Sequence, residues 1–227
     1  DTNHPTGTVT VEVSDQGQPD FTIHENVAWD YIPQEAGILG LTAQADLVCF
    51  GSLGQRCETS RRTIQRFLAA TPPNCLRFFD VNLRQHFFTR DVIARSLELS
   101  DVLKLNDEEL PVVAELLSIP GEQDEVLTEL LRRFSLRLVV LTRGADGSVI
   151  RSADQESVCG GKKIEVADTV GAGDAFTATV AVGLLRGVDL ETIHLHAQRV
   201  AGFVCTQPGG TPDMPAELRD FSKSSES

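Results

Sequence analysis

Residues 168–176 read Asp168-Thr169-Val170-Gly171-Ala172-Gly173-Asp174-Ala175-Phe176, and their types and spacing suit the handling of a phosphoryl group. Two glycines separated by one alanine let the backbone turn tightly and approach a ligand closely. The apolar run that follows predicts a buried helix over 172–186. The first N–H groups of such a helix lack internal partners, and the positive end of the helix dipole lies behind them. Gly171, Ala172 and Gly173 would then form an anion hole. Asp174, on the first turn, could face both that hole and an incoming hydroxyl, and take its proton as oxygen attacks phosphorus. Taken alone, a Gly-Ala-Gly-Asp turn reads first as an ordinary loop with a favourable first-turn acid.

The elements that must position this turn follow from the pattern of apolar residues. Val9, Val11 and Val13, a turn over 15–19, then Phe21 and Ile23 predict a β-hairpin with one apolar face. From Asp46 onward, short apolar runs at 47–50, 77–79, 102–105 and 138–141 end in polar residues or glycine. Helical spacing occupies 59–70 and 122–134 between them. That alternation predicts a parallel sheet with helices on both faces, whose ligands lie at the C-terminal strand ends. Ser148-Val149-Ile150 and Ile164-Glu165-Val166 are expected as β segments around a Gly160-Gly161 turn. A second helix is expected over 190–205, a loop over 207–212, and a frayed tail over 221–227.

The whole string resembles the C-terminal signature of the ribokinase (PfkB) family of carbohydrate kinases, D-T-x-G-A-G-D followed by a small-residue helix. Thr179 stands where that family usually has Gly or Ala, and a packing change is expected there. The resemblance implies roles elsewhere. Asn106 and Glu109 match an N-x-x-E motif that helps hold magnesium and phosphate. An amide and a carboxylate after a strand suit a hydrated Mg²⁺, and they equally suit a capping box. Thr142, Gly144 and Gly147 match a T-x-G-x-x-G loop that contacts nucleotide phosphates and ribose; an ordinary glycine turn has the same letters. Asp80, Asn82 and Arg84 match a D-x-N-x-R string, in which Arg84 would steady the transferred phosphoryl by bidentate contact. Gln198 falls on the adenine-side helix, where an Asn is usual. Asp168 and the carbonyl of Val170 match positions that hold a monovalent cation, so K⁺ joins ATP and Mg²⁺ as an implied cofactor.

The resemblance implies a ribokinase-like α/β fold with a small β lid. Residues 1–31 match part of the lid, 32–220 the core, and 221–227 a tail. The family's first strands and its Gly-Gly-x-x-x-N segment are not found, so the chain is expected to lack an N-terminal portion that carries much of the sugar pocket, and to phosphorylate poorly without it. Thr6-Gly7-Thr8-Val9, Val27-Ala28-Trp29-Asp30 and the D-x-N-x-R string look more like fructokinases than ribokinases. The implied reaction moves the γ-phosphoryl of ATP to a primary hydroxyl, with fructose the first expectation. Ribose, a nucleoside or 2-keto-3-deoxygluconate are alternatives, as is a non-catalytic nucleotide-binding module. The hairpin face suits either a homodimer through the lid or closure over the sugar.

Composition narrows the partners. A net charge of −13 disfavours a nucleic-acid backbone. No run of eighteen apolar residues predicts a membrane span, and residues 1–10 lack the order of a signal peptide. No G-x-G-x-x-G follows an early strand and no Walker-type P-loop occurs. Five cysteines without a C-x-x-C pair, with Cys49, Cys75 and Cys205 in apolar strings, are expected as buried thiols of a cytoplasmic protein. His194 and His196, two apart, would point to different helix faces and share no metal.

Overall fold

The computed structural model describes residues 1–13 and 19–221. Residues 15–18 of the expected turn, and the expected tail beyond Phe221, lie outside the described residues. Strands β1 (Val9–Val13) and β2 (Pro19–Ile23) pair antiparallel, with Val11 opposite Phe21. Val9, Val11 and Phe21 remain about half exposed, at 50%, 50% and 51%. A 3-10 turn over Ala28–Tyr31 and helix α1 (Ala36–Thr42) lead into the larger layer.

That layer alternates strand and helix as the apolar runs require: β3 (Leu47–Phe50), α2 (Glu58–Ala69), β4 (Leu76–Asp80), α3 (Arg90–Glu98), β5 (Val102–Asn106), α4 (Glu109–Leu117), α5 (Gln123–Phe134) and β6 (Leu138–Thr142). Then come β7 (Ser148–Arg151), β8 (Glu156–Cys159), α6 (Ala172–Leu185) and α7 (Leu190–Cys205). The six strands β3 to β8 lie in chain order; β3 to β6 are parallel, and β7 and β8 antiparallel. Successive strand residues serve opposite faces. Phe79, Leu103, Val139 and Leu141 pack under α3, α4 and α5, whereas Phe78, Val102, Val140 and Ile150 pack under α6 and α7. Two-sided burial explains why these strands read as continuous apolar runs.

Two expectations are corrected. The segment Ile164-Glu165-Val166 is not a strand, and Ile164 and Val166 are exposed. The partner of β7 comes earlier, because Ser152–Gln155 closes the turn and Arg151 pairs with Glu156 across it. Gly160-Gly161 instead packs against the loop before β7: a Cβ on Gly161 would lie 1.6 Å from the Ala145 carbonyl oxygen. Of the three thiols expected inside, only Cys75 is buried; Cys205 is intermediate and Cys49 is exposed on β3, the edge strand of the sheet among the described residues.

Both α7 histidines are buried and face different neighbours, His196 lying against Phe221 with Nε2 3.2 Å from the Leu218 carbonyl. His194 bridges Ser148 and Ser157, with Nε2 2.7 Å from one hydroxyl and Nδ1 2.8 Å from the other, and sits edge-on to Phe176. It therefore pins α7 to β7 and β8. Burial lowers its pKa to about 4, so the native state holds it neutral. An unfolded histidine titrates near 6.5, so this contribution is complete above that value and lost as pH falls toward 4. At pH 5 the loss is roughly 2 kcal/mol. Urea unfolding should show a lower midpoint at pH 5 than at pH 7, and His194→Gln should shrink that difference. An undiminished difference in the variant would contradict this assignment.

Candidate active site

The first turn of α6 stands over the C-terminal ends of β4 and β5. Asp80 and Lys104 are direct cross-strand neighbours. Both are buried, and Lys104 Nζ donates to Asp80 Oδ1 at 3.1 Å. The other oxygen, Oδ2, accepts from the hydroxyl of Thr177 on α6 at 2.8 Å. This three-way contact fixes the rotation of α6 on the sheet. It also sets an ammonium under the helix start, since a Cβ on Gly173 would lie 3.4 Å from Lys104 Nζ. Asp174 lies one turn before Thr177 and is exposed. Its charge and that of Asp80 reach Cys49, whose thiol is pushed up to about 11, first by partial burial and then by these two carboxylates. Asp80, Lys104, Cys49 and Asp174 are thus one neighbourhood.

The glycine turn is held by a second loop. Gly171 caps α6 with φ 80°, a conformation that favours glycine, and no side chain caps the helix. A Cβ there would lie 2.3 Å from the Gly210 carbonyl oxygen, so the two backbones touch directly. Asp168 ties the same loops together. Its Oδ1 accepts from Val170 N at 3.0 Å and its Oδ2 from Gly209 N at 3.2 Å. These amides hold its carboxyl below the usual carboxylate range. The carbonyl of Cys205, at the end of α7, accepts from the N–H groups of Ala167 and Asp168. An orphan carbonyl at the end of α7 thereby positions the entry to α6.

The strand-end residues converge from the other side. Asn106 and Thr142 are opposite each other on β5 and β6. Asn106 and Glu109 form the reciprocal cap, Asn106 N to Glu109 Oε2 at 2.9 Å and Glu109 N to Asn106 Oδ1 at 2.8 Å. Glu109 also accepts from Leu83 N through Oε1 at 2.8 Å, so it anchors the loop after β4. In that loop Asn82 and Gln85 have positive φ, 42° and 47°, and Gln85 reaches the Phe21 carbonyl of β2. Arg84 is exposed, with Nη1 3.2 Å from the Leu83 carbonyl. Gly144 and Gly147 close a turn in which Arg143 N donates to Gly147 O at 2.8 Å. A Cβ on Gly147 would meet the Cys159 carbonyl oxygen at 2.0 Å. Gln198 is half-buried on α7. Thr179 satisfies its hydroxyl on the Ala175 carbonyl at 2.8 Å.

Sequence reasoning missed Lys104 and Thr177. The available signal was a lysine inside the apolar run Val102-Leu103-Lys104-Leu105, since a buried lysine requires a partner.

The arrangement sets the first amides of α6 over a buried cation, with an exposed carboxylate beside them and glycine-lined strand ends along one edge; Ala172, expected in the anion hole, instead gives its N–H to the Thr169 carbonyl at 3.3 Å. The model of the pfkB family carbohydrate kinases matches residues 1–217. The chain is similar to the fructokinase of Escherichia coli, 27% identical over 229 residues, covering 93% of this chain and 71% of that protein. It is similar to the 5-dehydro-2-deoxygluconokinase of Bacillus anthracis, 28% identical over 157 residues, with 66% and 47% covered. The crystal structure of a sugar kinase from Pyrococcus horikoshii in complex with ATP superposes with a TM-score of 0.74 at 25% identity, covering 92% of this chain and 68% of that one. The chain spans about half to seven-tenths of the length of the curated relatives it matches.

Removing one partner of the buried pair leaves a charge stranded. Asp80→Ala should cost about 3–5 kcal/mol, and Thr177→Val only about 1 kcal/mol. Chemical denaturation checks this; equal, small losses would mean that Lys104 does not depend on Asp80.

Proposed function

We propose, for a chain that belongs to the pfkB family of carbohydrate kinases, transfer of the γ-phosphoryl of ATP to a primary hydroxyl of a sugar, with fructose as the favoured acceptor. The single observation that carries this reading is the open N-terminus of α6, with Lys104 beneath Gly173 and Asp174 on its first turn.

The amides at Gly171 and Gly173 and the Lys104 ammonium would stabilise negative charge on the phosphoryl in flight. Asp174 would accept the acceptor's hydroxyl proton. A new O–P bond forms, the bond from the γ-phosphorus to the bridging oxygen breaks, and ADP leaves with its electron pair. Arg84, on the loop that Glu109 anchors, would contact the phosphoryl as the lid region, residues 1–31, closes. Thr142, Gly144 and Gly147 would line the nucleotide phosphates and ribose, and Gln198 the adenine side.

The donor set fits a hydrated Mg²⁺ rather than a protein cage. Among the described residues no group of three or more His, Cys, Asp or Glu could hold a metal. Both Glu109 oxygens already accept amides, so Glu109 and Asn106 would meet Mg²⁺ through its waters. Bound there, Mg²⁺ would neutralise phosphate charge. Asp168, held anionic by Val170 and Gly209, and the Val170 carbonyl suit K⁺.

Fructose is favoured by the fructokinase relative and by the D-x-N-x-R string at Asp80, Asn82 and Arg84. A sugar acid is the second reading, favoured by the 5-dehydro-2-deoxygluconokinase relative. No helix among the described residues is long and apolar enough to cross a membrane; the site of action proposed is the cytoplasm. The exposed face of Val9, Val11 and Phe21 suits either pairing with a second lid or closure over the acceptor.

An ADP-release assay on a sugar panel, with Asp174→Asn beside wild type, tests the assignment. The variant should bind MgATP as wild type does and lose roughly 10²–10⁴-fold in kcat. Turnover equal to wild type would remove Asp174 as the base.

A further inference from the structure

The loop that carries Arg84 is held at three points, none of them the Arg84 side chain. Leu83 N donates to Glu109, at the start of α4. The Gln85 side chain donates to the Phe21 carbonyl of β2. Phe87 N donates to the Arg84 carbonyl at 3.0 Å, and the Phe87 ring is buried. Asn82 and Gln85 lie in the left-handed region that few side chains adopt, so the path of the loop is specified rather than slack. Among the described residues the exposed Arg84 side chain donates only to the carbonyl of its neighbour Leu83.

Arg56 meets that loop from the hairpin side. Its guanidinium lies over two rings, 3.9 Å from the Trp29 centroid and 4.6 Å from that of Phe87. Its edge is used at the same time. Nε and Nη2 donate to Asp30 at 2.7 and 2.8 Å, Nη2 donates to the His24 carbonyl, and the side chain is 5% exposed. A planar guanidinium offers face and edge together, which an ammonium cannot do. The partners belong to two bodies. His24 follows β2, and Trp29 and Asp30 form the 3-10 turn at the base of the hairpin. That base also holds the entry to β1: Ala28 N donates to the Pro5 carbonyl at 2.8 Å, and a Cβ on Gly7 would lie 2.3 Å from Trp29 Nε1. Arg56 therefore joins the entry of the hairpin, through Trp29, and its exit, through His24, to the ring of the loop that carries Arg84. Gln85 makes a second, exposed link between the same two bodies.

We propose that Arg56 is a positioning residue that makes the hairpin base and the Arg84 loop one body, so that the stance of the hairpin sets the stance of the Arg84 guanidinium. The inference rests on the reading that Arg84 meets the transferred phosphoryl, and adds that this contact is coupled to the lid. A hairpin displaced from the core carries Phe87 and Gln85 with it and withdraws Arg84. A phosphoryl group held by Arg84 is in turn felt at Trp29, because coupling between two sites is reciprocal. An arginine that merely pins the fold would change stability and leave no such trace.

Trp29 is the one tryptophan of the chain and lies against Arg56, so its emission reports the hairpin base. Calorimetry gives the affinities for MgADP and for MgADP with aluminium fluoride, and fluorescence gives the Trp29 response to each. Wild type should bind the fluoride complex more tightly than MgADP, and only the fluoride complex should shift Trp29 emission. Arg84→Ala should abolish that shift. Arg56→Lys, its folding checked by its thermal midpoint, should weaken the fluoride complex about tenfold and leave MgADP unchanged. Combined with Arg84→Ala, it should bind no worse than Arg84→Ala alone. The exposed Gln85→Ala carries the same comparison where Arg56→Lys does not fold, with a loss of about threefold. Losses that multiply in the double variant, equal weakening of both complexes, or a Trp29 shift that survives Arg84→Ala would overturn the proposal. A wild type without preference for the fluoride complex would overturn the phosphoryl-transfer reading and the coupling with it, whereas a preference kept intact in both Arg56→Lys and Gln85→Ala would overturn the coupling alone.

Discussion

The buried contact among Asp80, Lys104 and Thr177 is the constraint on which the rest depends. A lysine within a strand core is tolerable only with its charge met, and Asp80 on the neighbouring strand meets it. The second carboxylate oxygen then takes the Thr177 hydroxyl, which binds a helix from one face of the sheet to the ends of two strands. Everything about the α6 turn follows from that anchorage: the height of Gly173 above Lys104, the exposure of Asp174, and the direction in which the first amides point. The pair's cost in desolvation is offset by the position it specifies.

A second constraint acts on the backbone. Gly171 and Gly210 touch without room for a side chain on the first, and Asp168 stitches the two loops through paired amides. The turn is thus clamped from below by an ion pair and from the side by a loop. A phosphate-binding helix end gains from such rigidity, because amides fixed before a ligand arrives need no reorganisation when charge develops. The loop after β4 is arranged similarly, with Glu109 holding Leu83 N and with two residues in the left-handed region.

Much of this was legible in the letters. Two-sided strands announce themselves as continuous apolar runs, so β3 to β6 could be read, as could the turn that opens α6. The reciprocal cap at Asn106 and Glu109 was written in its spacing. Other features depend on contacts that spacing does not carry. The partner of Lys104 is set by cross-strand register, and the contact of the second Glu109 oxygen comes from a loop 26 positions away. β8 was misplaced because Glu156–Cys159 buries little and shows no strong alternation, whereas Ile164 and Val166 do alternate yet remain exposed. His194 read as uninformative because its partners, Ser148 and Ser157, lie on a hairpin far along the chain.

The central claim is that the α6 amides receive the transferred phosphoryl group. Amide chemical shifts on adding MgADP with aluminium fluoride, a mimic of the phosphoryl in flight, test it most directly. The account predicts that Gly173 and Asp174 show the largest shifts in the protein. Tight binding of that complex with these amides unmoved would contradict it.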